Sequence, residues 1–198
     1  MELVFATNNK HKIREISDLL DSNIMILGLA DLGITEEIPE EAETLEENAL
    51  FKARYVHEKT RLNVFADDTG LEVTALGGAP GVYSARYAGE SKSFDDNIEK
   101  LLREMHGITE RSARFRTVIA LILDGSEYLF EGTVEGEIIP ERRGNGGFGY
   151  DPVFLASGHD RTFAEIPLSE KNAISHRAIA TRKLIGFLRE KNRTLDGK

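Results

Sequence analysis

Residues 113–123 (ARFRTVIALIL), 124–125 (DG) and 126–139 (SEYLFEGTVEGEII) spell a long β-hairpin at the centre of the chain. Ala113 to Leu123 is rich in apolar and β-branched residues, which pack well on a pleated surface. Asp124-Gly125 tolerates the positive φ angles of a tight hairpin turn, and the chain returns as a strand from Tyr128 to Ile139. Toward the N-terminus, Ser93-x-x-Asp96 opens a helix with Phe94, Ile98, Leu101, Leu102 and Met105 on one face. Asn63 to Ala66 reads as a strand ending at Asp67-Asp68-Thr69-Gly70. Leu71 to Leu76 extends beyond it, and Gly77-Gly78-Ala79-Pro80-Gly81 is a loop. Met1 to Ala6 and Ile24 to Leu29 read as short strands flanking a helix that carries Ile13, Ile16, Leu19 and Leu20. Glu36 to Glu47 holds seven glutamates and no Lys or Arg. Thr44-x-x-Glu47 is nevertheless a capping box, and Leu45, Ala49, Ala53 and Val56 continue a helical stripe behind it. Toward the C-terminus, glycine-rich Gly144 to Gly149 precedes a strand at Pro152 to Leu155. Ser175 N-caps a last helix carrying Ile179, Leu184, Phe187 and Leu188. Mixed strands and helices around a central hairpin predict an α/β or α+β fold, one domain over residues 1–198.

The 198 residues carry 25 basic and 34 acidic side chains, a net charge of −9. That balance argues against a large nucleic-acid footprint, which needs a basic face to displace counterions. Hydrophobic residues at 40% exclude a disordered chain. The longest apolar run, Val118 to Leu123, is far short of the ~20 residues of a membrane helix. Met1-Glu2-Leu3-Val4-Phe5 lacks the basic start of a signal peptide. The absence of cysteine excludes disulfides, zinc–thiolate sites and a thiol nucleophile. A soluble cytoplasmic protein is expected. Charged residues at 30%, with no Gln or Cys, resemble the composition of heat-stable proteins.

Residues 144–149 (GNGGFG) satisfy G-x-G-x-x-G, but Tyr150-Asp151-Pro152-Val153-Phe154 predicts a strand where a dinucleotide fingerprint needs a helix. No phosphate-loop or serine-elbow pattern occurs, and the five histidines show no metal-ligand spacing. Five clusters remain. Thr7, Asn8, Asn9, Lys10, His11 and Lys12 lie on a strand-to-helix turn, where backbone N–H groups and lysines suit a phosphate or form a plain polar cap. Asp67-Asp68-Thr69-Gly70 offers paired carboxylates for Mg²⁺, or an ordinary β-turn. Glu40 is one of several loop carboxylates able to reach the same ion, or part of a solvated acidic loop. Phe148-Gly149-Tyr150-Asp151 offers a stacking face and an acceptor, or a tight loop before a strand. Lys171 and Ser175-His176-Arg177 put cations at a helix N-terminus, which suits an anionic or carbonyl ligand or an ordinary surface helix start. Together these residue types fit a nucleoside triphosphate with Mg²⁺ better than any other common metabolite.

Phe5-Ala6-Thr7-Asn8-Asn9-Lys10-His11-Lys12 resembles the (V/A)TxNxxK opening of the inosine triphosphate pyrophosphatase, or Ham1-like, family. Further blocks are similar to that family: Glu47-Asn48-Ala49, Ala66-Asp67-Asp68-Thr69-Gly70-Leu71, Leu76-Gly77-Gly78-Ala79-Pro80-Gly81, Tyr83-Ser84-Ala85-Arg86-Tyr87, Gly146-Gly147-Phe148-Gly149-Tyr150-Asp151-Pro152 and Ser175-His176-Arg177. The resemblance implies two lobes around a long, twisted mixed sheet with flanking helices, an active site in the cleft, and a homodimer. It implies Mg²⁺-dependent hydrolysis of ITP, dITP and XTP to the monophosphate and pyrophosphate, which removes deaminated purines from the nucleotide pool. By position, Thr7, Asn8, Asn9, Lys10, His11 and Lys12 grip the triphosphate, with added charge from Lys52 and Lys171. Asp68 is the catalytic carboxylate at the metal, Glu40 a second metal contact, and Thr69 touches the substrate. Phe148, Gly149, Tyr150 and Asp151, with His176 and Arg177, enclose the base and read its 6-keto group. A donor aimed at that oxygen meets an amino group in adenine, and the unpaired buried group costs about 1–3 kcal/mol. The competing readings are a non-catalytic nucleotide sensor, a pyrophosphatase for another aberrant nucleotide, and an acidic interaction protein. A sensor does not need Asp68 and Glu40 together.

Overall fold

Strands β1 (Glu2–Phe5) and β2 (Met25–Gly28) pair in parallel, from Glu2 opposite Met25 to Phe5 opposite Gly28, with helix α1 (Lys10–Ser17) in the crossover. Leu3, Val4 and Phe5 are buried in succession, as befits a parallel strand covered on both faces. Helix α1 buries Ile16 but ends at Ser17, so Leu19 and Leu20 lie beyond the helix that their spacing predicted. Helix α2 (Leu45–Thr60) starts where the capping box predicted: Thr44 Oγ1 accepts from the Glu47 N–H at 3.2 Å, and the hydroxyl bonds the Glu47 carboxylate at 3.0 Å. Its stripe of Leu45, Ala49, Ala53 and Val56 is wholly buried.

The computed structural model describes residues 1–20 and 24–196. The central hairpin forms β5 (Ser112–Leu123) and β6 (Ser126–Ile138), with Asp124 and Gly125 at φ of 50° and 76°. With β3 (Val64–Val73), β4 (Pro80–Gly81) and β7 (Phe154–Ala156), the strands form one mixed sheet in the order β2-β1-β3-β5-β6-β7, β4 pairing with β3. Helices α3 (Phe94–Glu104), α4 (Leu168–Ile174) and α5 (His176–Asp196) complete the mixed α/β fold expected from the sequence. Among the described residues no helix is long and apolar enough to cross a membrane.

The chain divides into two compact units. The first comprises Met1–Asp68, Thr117–Gly132 and the stretch from Arg177 onward. Its core gathers Leu3, Phe5, Ile16, Phe65, Ile119, Leu121, Leu184 and Leu188, with the Phe5 and Phe65 rings stacked at 4.4 Å. The second comprises Thr69–Arg116 and Thr133–His176, around Leu71, Val73, Leu101, Phe115, Ile138, Phe154 and Phe163.

Strand β3 departs from the sequence reading. Asp67-Asp68-Thr69-Gly70 does not end the strand but lies inside it, with pairing to β4 placing Leu71 opposite Gly81. Half-buried Lys12 and buried Lys52 and Arg177 satisfy the two carboxylates, so the strand has no need to surface there. Gly70 permits the continuation, because a Cβ on it would lie 2.7 Å from the Gly81 carbonyl oxygen. Gly70→Ala is therefore expected to lower stability by about 1–3 kcal/mol, the usual penalty of overpacking. The measurement is the urea midpoint, and a wild-type value would show that β4 yields freely.

Three further differences are local. Pro152 sits in a 3-10 turn (Asp151–Val153) ahead of β7, since a proline ring favours helical φ and cannot donate to a ladder. Helix α4, which carries Lys171, has no counterpart in the sequence reading. Helix α3 is capped by Ser93 as predicted and buries Ile98 and Leu101, but Phe94 is exposed and lies against Phe148 at 5.9 Å.

Candidate active site

The pleat of β3 sends consecutive side chains to opposite faces, so Asp67 and Asp68 meet different helices. Asp67 accepts from Lys12 Nζ of α1 at 3.0 Å and from Arg177 Nε of α5 at 3.2 Å. Arg177, itself buried, also pairs through Nη1 with Glu15 of α1 at 2.5 Å. Asp68 accepts from Asn48 Nδ2 at 3.0 Å and from Lys52 Nζ at 3.4 Å, both on α2. Lys52 donates as well to the Asp67 carbonyl oxygen at 2.7 Å and to the Glu40 carboxylate. The acidic segment thus delivers Glu40 to the same ammonium as Asp68. All these residues belong to the first unit.

Burial would push the Asp67 carboxyl up, but Lys12, Arg177 and Lys52 outweigh it and hold the group well below the usual carboxylate range. Burial likewise opposes the charge on Lys52, yet Asp68, Glu40 and Asp67 keep its ammonium above the ordinary lysine value. For Asp68 burial prevails, and Glu40 adds to it, so this carboxyl lies above the usual aspartate value despite Lys52, Lys12 and Asn48. Glu40 is also desolvated, but Lys52 and Lys12 bring it below the ordinary glutamate value.

The donor set fits a hard divalent cation. Glu40 and Asp68 both pair with the Lys52 ammonium, which brings two carboxylates to one place. Among the described residues no three His, Asp or Glu side chains converge as a self-sufficient ligand set. Mg²⁺ commonly uses one or two carboxylates and completes its shell with phosphates and water. Asp68 and Glu40, drawn together on Lys52, match that habit.

The N-terminal turn differs from its sequence reading. Lys10, His11 and Lys12 are the first turn of α1 rather than a loop, and Asn9 is its N-cap. The Asn9 Oδ1 accepts from the His11 and Lys12 N–H groups at 3.0 and 3.3 Å, and Thr7 Oγ1 accepts from the Asn9 N–H at 3.1 Å. Asn9 thus acts here as an acceptor toward the backbone donors expected to meet a phosphate. Asn8, Lys10 and His11 are exposed.

The second unit holds the aromatic cluster. Asp151, buried, accepts from the Phe148 N–H at 2.8 Å and from Lys171 Nζ at 2.6 Å. The Lys171 ammonium lies 4.9 Å from the Phe148 ring centre and 5.6 Å from that of Phe163. His176 stacks on Phe115 at 4.5 Å. Tyr150 spends its hydroxyl on the Ser84 carbonyl at 2.9 Å. Gly147, at φ 69°, makes room for Asp151: a Cβ there would fall 2.0 Å from its Oδ2. Thr69 and Gly149 are half-buried in this unit. His176 and Arg177, adjacent in sequence, divide between the two units: one ring packs among aromatics while the next guanidinium binds carboxylates.

Three residues of these networks escaped the sequence reading: Asp67 as an ion-pair centre, Glu15 and Asn48. Asn48 had a visible signal, because it shares with Lys52 the helix face of Leu45, Ala49, Ala53 and Val56. A polar residue in a buried stripe needs a partner. Glu15 has no such pattern around it.

A model of the Ham1 family matches residues 3–187. A Flavobacterium johnsoniae protein named dITP/XTP pyrophosphatase is 54% identical over 188 residues, 95% of this chain and 98% of that one. A Porphyromonas gingivalis protein of the same name is 54% identical over 188 residues, 94% of this chain and 97% of that one. Among solved structures, the Staphylococcus aureus Ham1 protein is 41% identical with a TM-score of 0.88, covering 96% of this chain and 100% of its own. A HAM1 protein from Coxiella burnetii matches at the same identity and score, covering 96% and 99%. Sequence and fold agree along nearly the whole length, and the chain belongs to the Ham1 family.

Proposed function

We propose that this chain hydrolyses ITP, dITP and XTP to the nucleoside monophosphate and pyrophosphate, with Mg²⁺, and that it works as a cytoplasmic homodimer that clears deaminated purines. The observation that carries the reading is the buried Asp68 carboxylate, held by Asn48 and Lys52 and sharing that lysine with Glu40. Family membership and relatives named dITP/XTP pyrophosphatase support the substrate class.

Asp68 accepts a proton from the attacking water as the water oxygen bonds the α-phosphorus. The bond from that phosphorus to the bridging oxygen breaks, and pyrophosphate leaves with the electron pair. Phosphoryl transfer asks chiefly for positioning and charge neutralisation. Lys10 and Lys12, with Thr7, Asn8, Asn9 and His11, bind the triphosphate, and Lys52 and Lys171 add positive charge. Asp68 and Glu40 would hold Mg²⁺, which when bound supplies Lewis-acid neutralisation of the leaving group. Thr69 contacts the substrate, and Phe148, Gly149 and Tyr150 with His176 receive the base. Asp151 shapes that loop through the Phe148 N–H and Lys171. Arg177 contributes by holding Asp67 and Glu15.

The test is ³¹P NMR of ITP, XTP, GTP and ATP, each incubated with protein and Mg²⁺. Monophosphate plus pyrophosphate, fast for ITP and XTP and slow for the other two, is expected. Diphosphate plus orthophosphate would move the attack to the γ-phosphorus and overturn the mechanism. ITP bound without turnover would make the chain a nucleotide sensor. Light scattering after size exclusion is expected to report a dimer; a monomer at micromolar concentration removes that part of the proposal.

A further inference from the structure

Asn48 is almost completely buried, at 1% exposure, and both ends of its carboxamide are engaged. Nδ2 donates to Asp68 Oδ2 at 3.0 Å, and Oδ1 accepts from the Ala42 N–H, also at 3.0 Å. Ala42 lies two residues after Glu40 in the acidic segment. One side chain on α2 therefore ties the backbone that carries Glu40 to the carboxylate of Asp68. A carboxylate torsion is broad and roughly two-fold, so Asp68 needs such a partner to keep one orientation. With Oδ2 taken by Asn48, Oδ1 is the oxygen turned to Lys52, which in turn holds Glu40.

We infer that Asn48 is a positioning residue for turnover: it assigns the two Asp68 oxygens different tasks and sets the Glu40 segment against them. The inference rests on the proposed role of Asp68 as proton acceptor. Groups that support catalytic carboxylates and metal ligands commonly matter about 10- to 100-fold when removed.

Two variants separate the two halves of the carboxamide. Asn48→Asp keeps an acceptor for the Ala42 N–H but sets a carboxylate against Asp68 where the amide donated; Asn48→Ala loses both contacts. For Asn48→Asp, kcat for ITP is expected to fall about 10- to 100-fold with KM near wild type, and the melting temperature falls too, because the new carboxylate is buried against Asp68. For Asn48→Ala, both kcat and melting temperature fall. A merely structural Asn48 would give Asn48→Asp a wild-type kcat, and that result overturns the inference.

A second measurement needs neither turnover nor a folded Asn48 variant. In ¹H–¹⁵N spectra of the wild-type protein, an Asn48 side-chain amide proton is expected to be protected from exchange and to shift in Asp68→Ala. An identical, unprotected signal in both proteins overturns the inference. If wild-type protein leaves ITP intact, the functional proposal fails on its own, and this comparison still decides whether Asn48 holds Asp68.

Discussion

Asp68→Asn lowers kcat for ITP by about 10³-fold, within the range that loss of a general base produces, while the Kd of ITP changes only a few-fold. The replacement keeps the shape of the side chain. Its carboxamide oxygen can still accept from Asn48 Nδ2, so the buried contact at 3.0 Å survives. What goes is the ability to take a proton, along with one of the two carboxylates that Lys52 draws together. In the proposed reading Lys10 and Lys12 bind the triphosphate, and that binding does not depend on the Asp68 proton. The check is steady-state kinetics beside calorimetric ITP titration, with melting temperature as the control for folding. Near-wild-type kcat in a folded variant would remove Asp68 from its role.

Arg177→Met weakens the fold by about 3–5 kcal/mol, the usual cost of removing one member of a buried ion pair. The guanidinium is 2% exposed and serves two carboxylates, Glu15 through Nη1 and Asp67 through Nε. Methionine fills much of the volume but leaves those carboxylates short of one cation. Arg177→Lys falls between wild type and Arg177→Met, since one ammonium cannot reproduce the forked contact. The sign of the pH effect follows from Asp67, whose folded pKa lies below its ordinary 3.8. Such a group stabilises the fold above that ordinary value, and the contribution is lost as pH falls through the folded one. Removing Arg177 brings the Asp67 pKa back up, so acid unfolding of the variant sets in at higher pH than in wild type. Urea denaturation at neutral pH and acid titration followed by circular dichroism check both parts. Unchanged midpoints would show that the network adds nothing to stability.

Much of the molecule was legible in the sequence because the signals are local. Thr44-x-x-Glu47 caps α2, Ser93 caps α3, and Asp124-Gly125 turns β5 into β6, each within a few residues of backbone. The buried run Leu3-Val4-Phe5 and the stripe Leu45, Ala49, Ala53 and Val56 report their burial through period alone. The likeness of motif blocks along the chain carried the family, and through it the substrate class. Glu40 was named from the same likeness, and the structure brings it to Lys52 beside Asp68 rather than leaving it in a solvated loop.

The tertiary structure decided what depends on partners far away in sequence. Asp67-Asp68-Thr69-Gly70 looks like a turn by composition, yet it runs as strand because Lys12, Lys52 and Arg177 compensate the carboxylates inside the protein. Asn48 looked like one residue of a helical motif, and only the placement of Asp68 and Ala42 around it gives each end of its amide a task. His176 and Arg177 read as one cationic pair, but their side chains enter different environments, one aromatic and one acidic. Local pattern determined which segments became helix or strand, because backbone propensity and burial periodicity act over a few residues. Which charges meet was decided by the fold, because an ion pair is set by distance in space, and Arg177 and Glu15 are 162 residues apart in the chain.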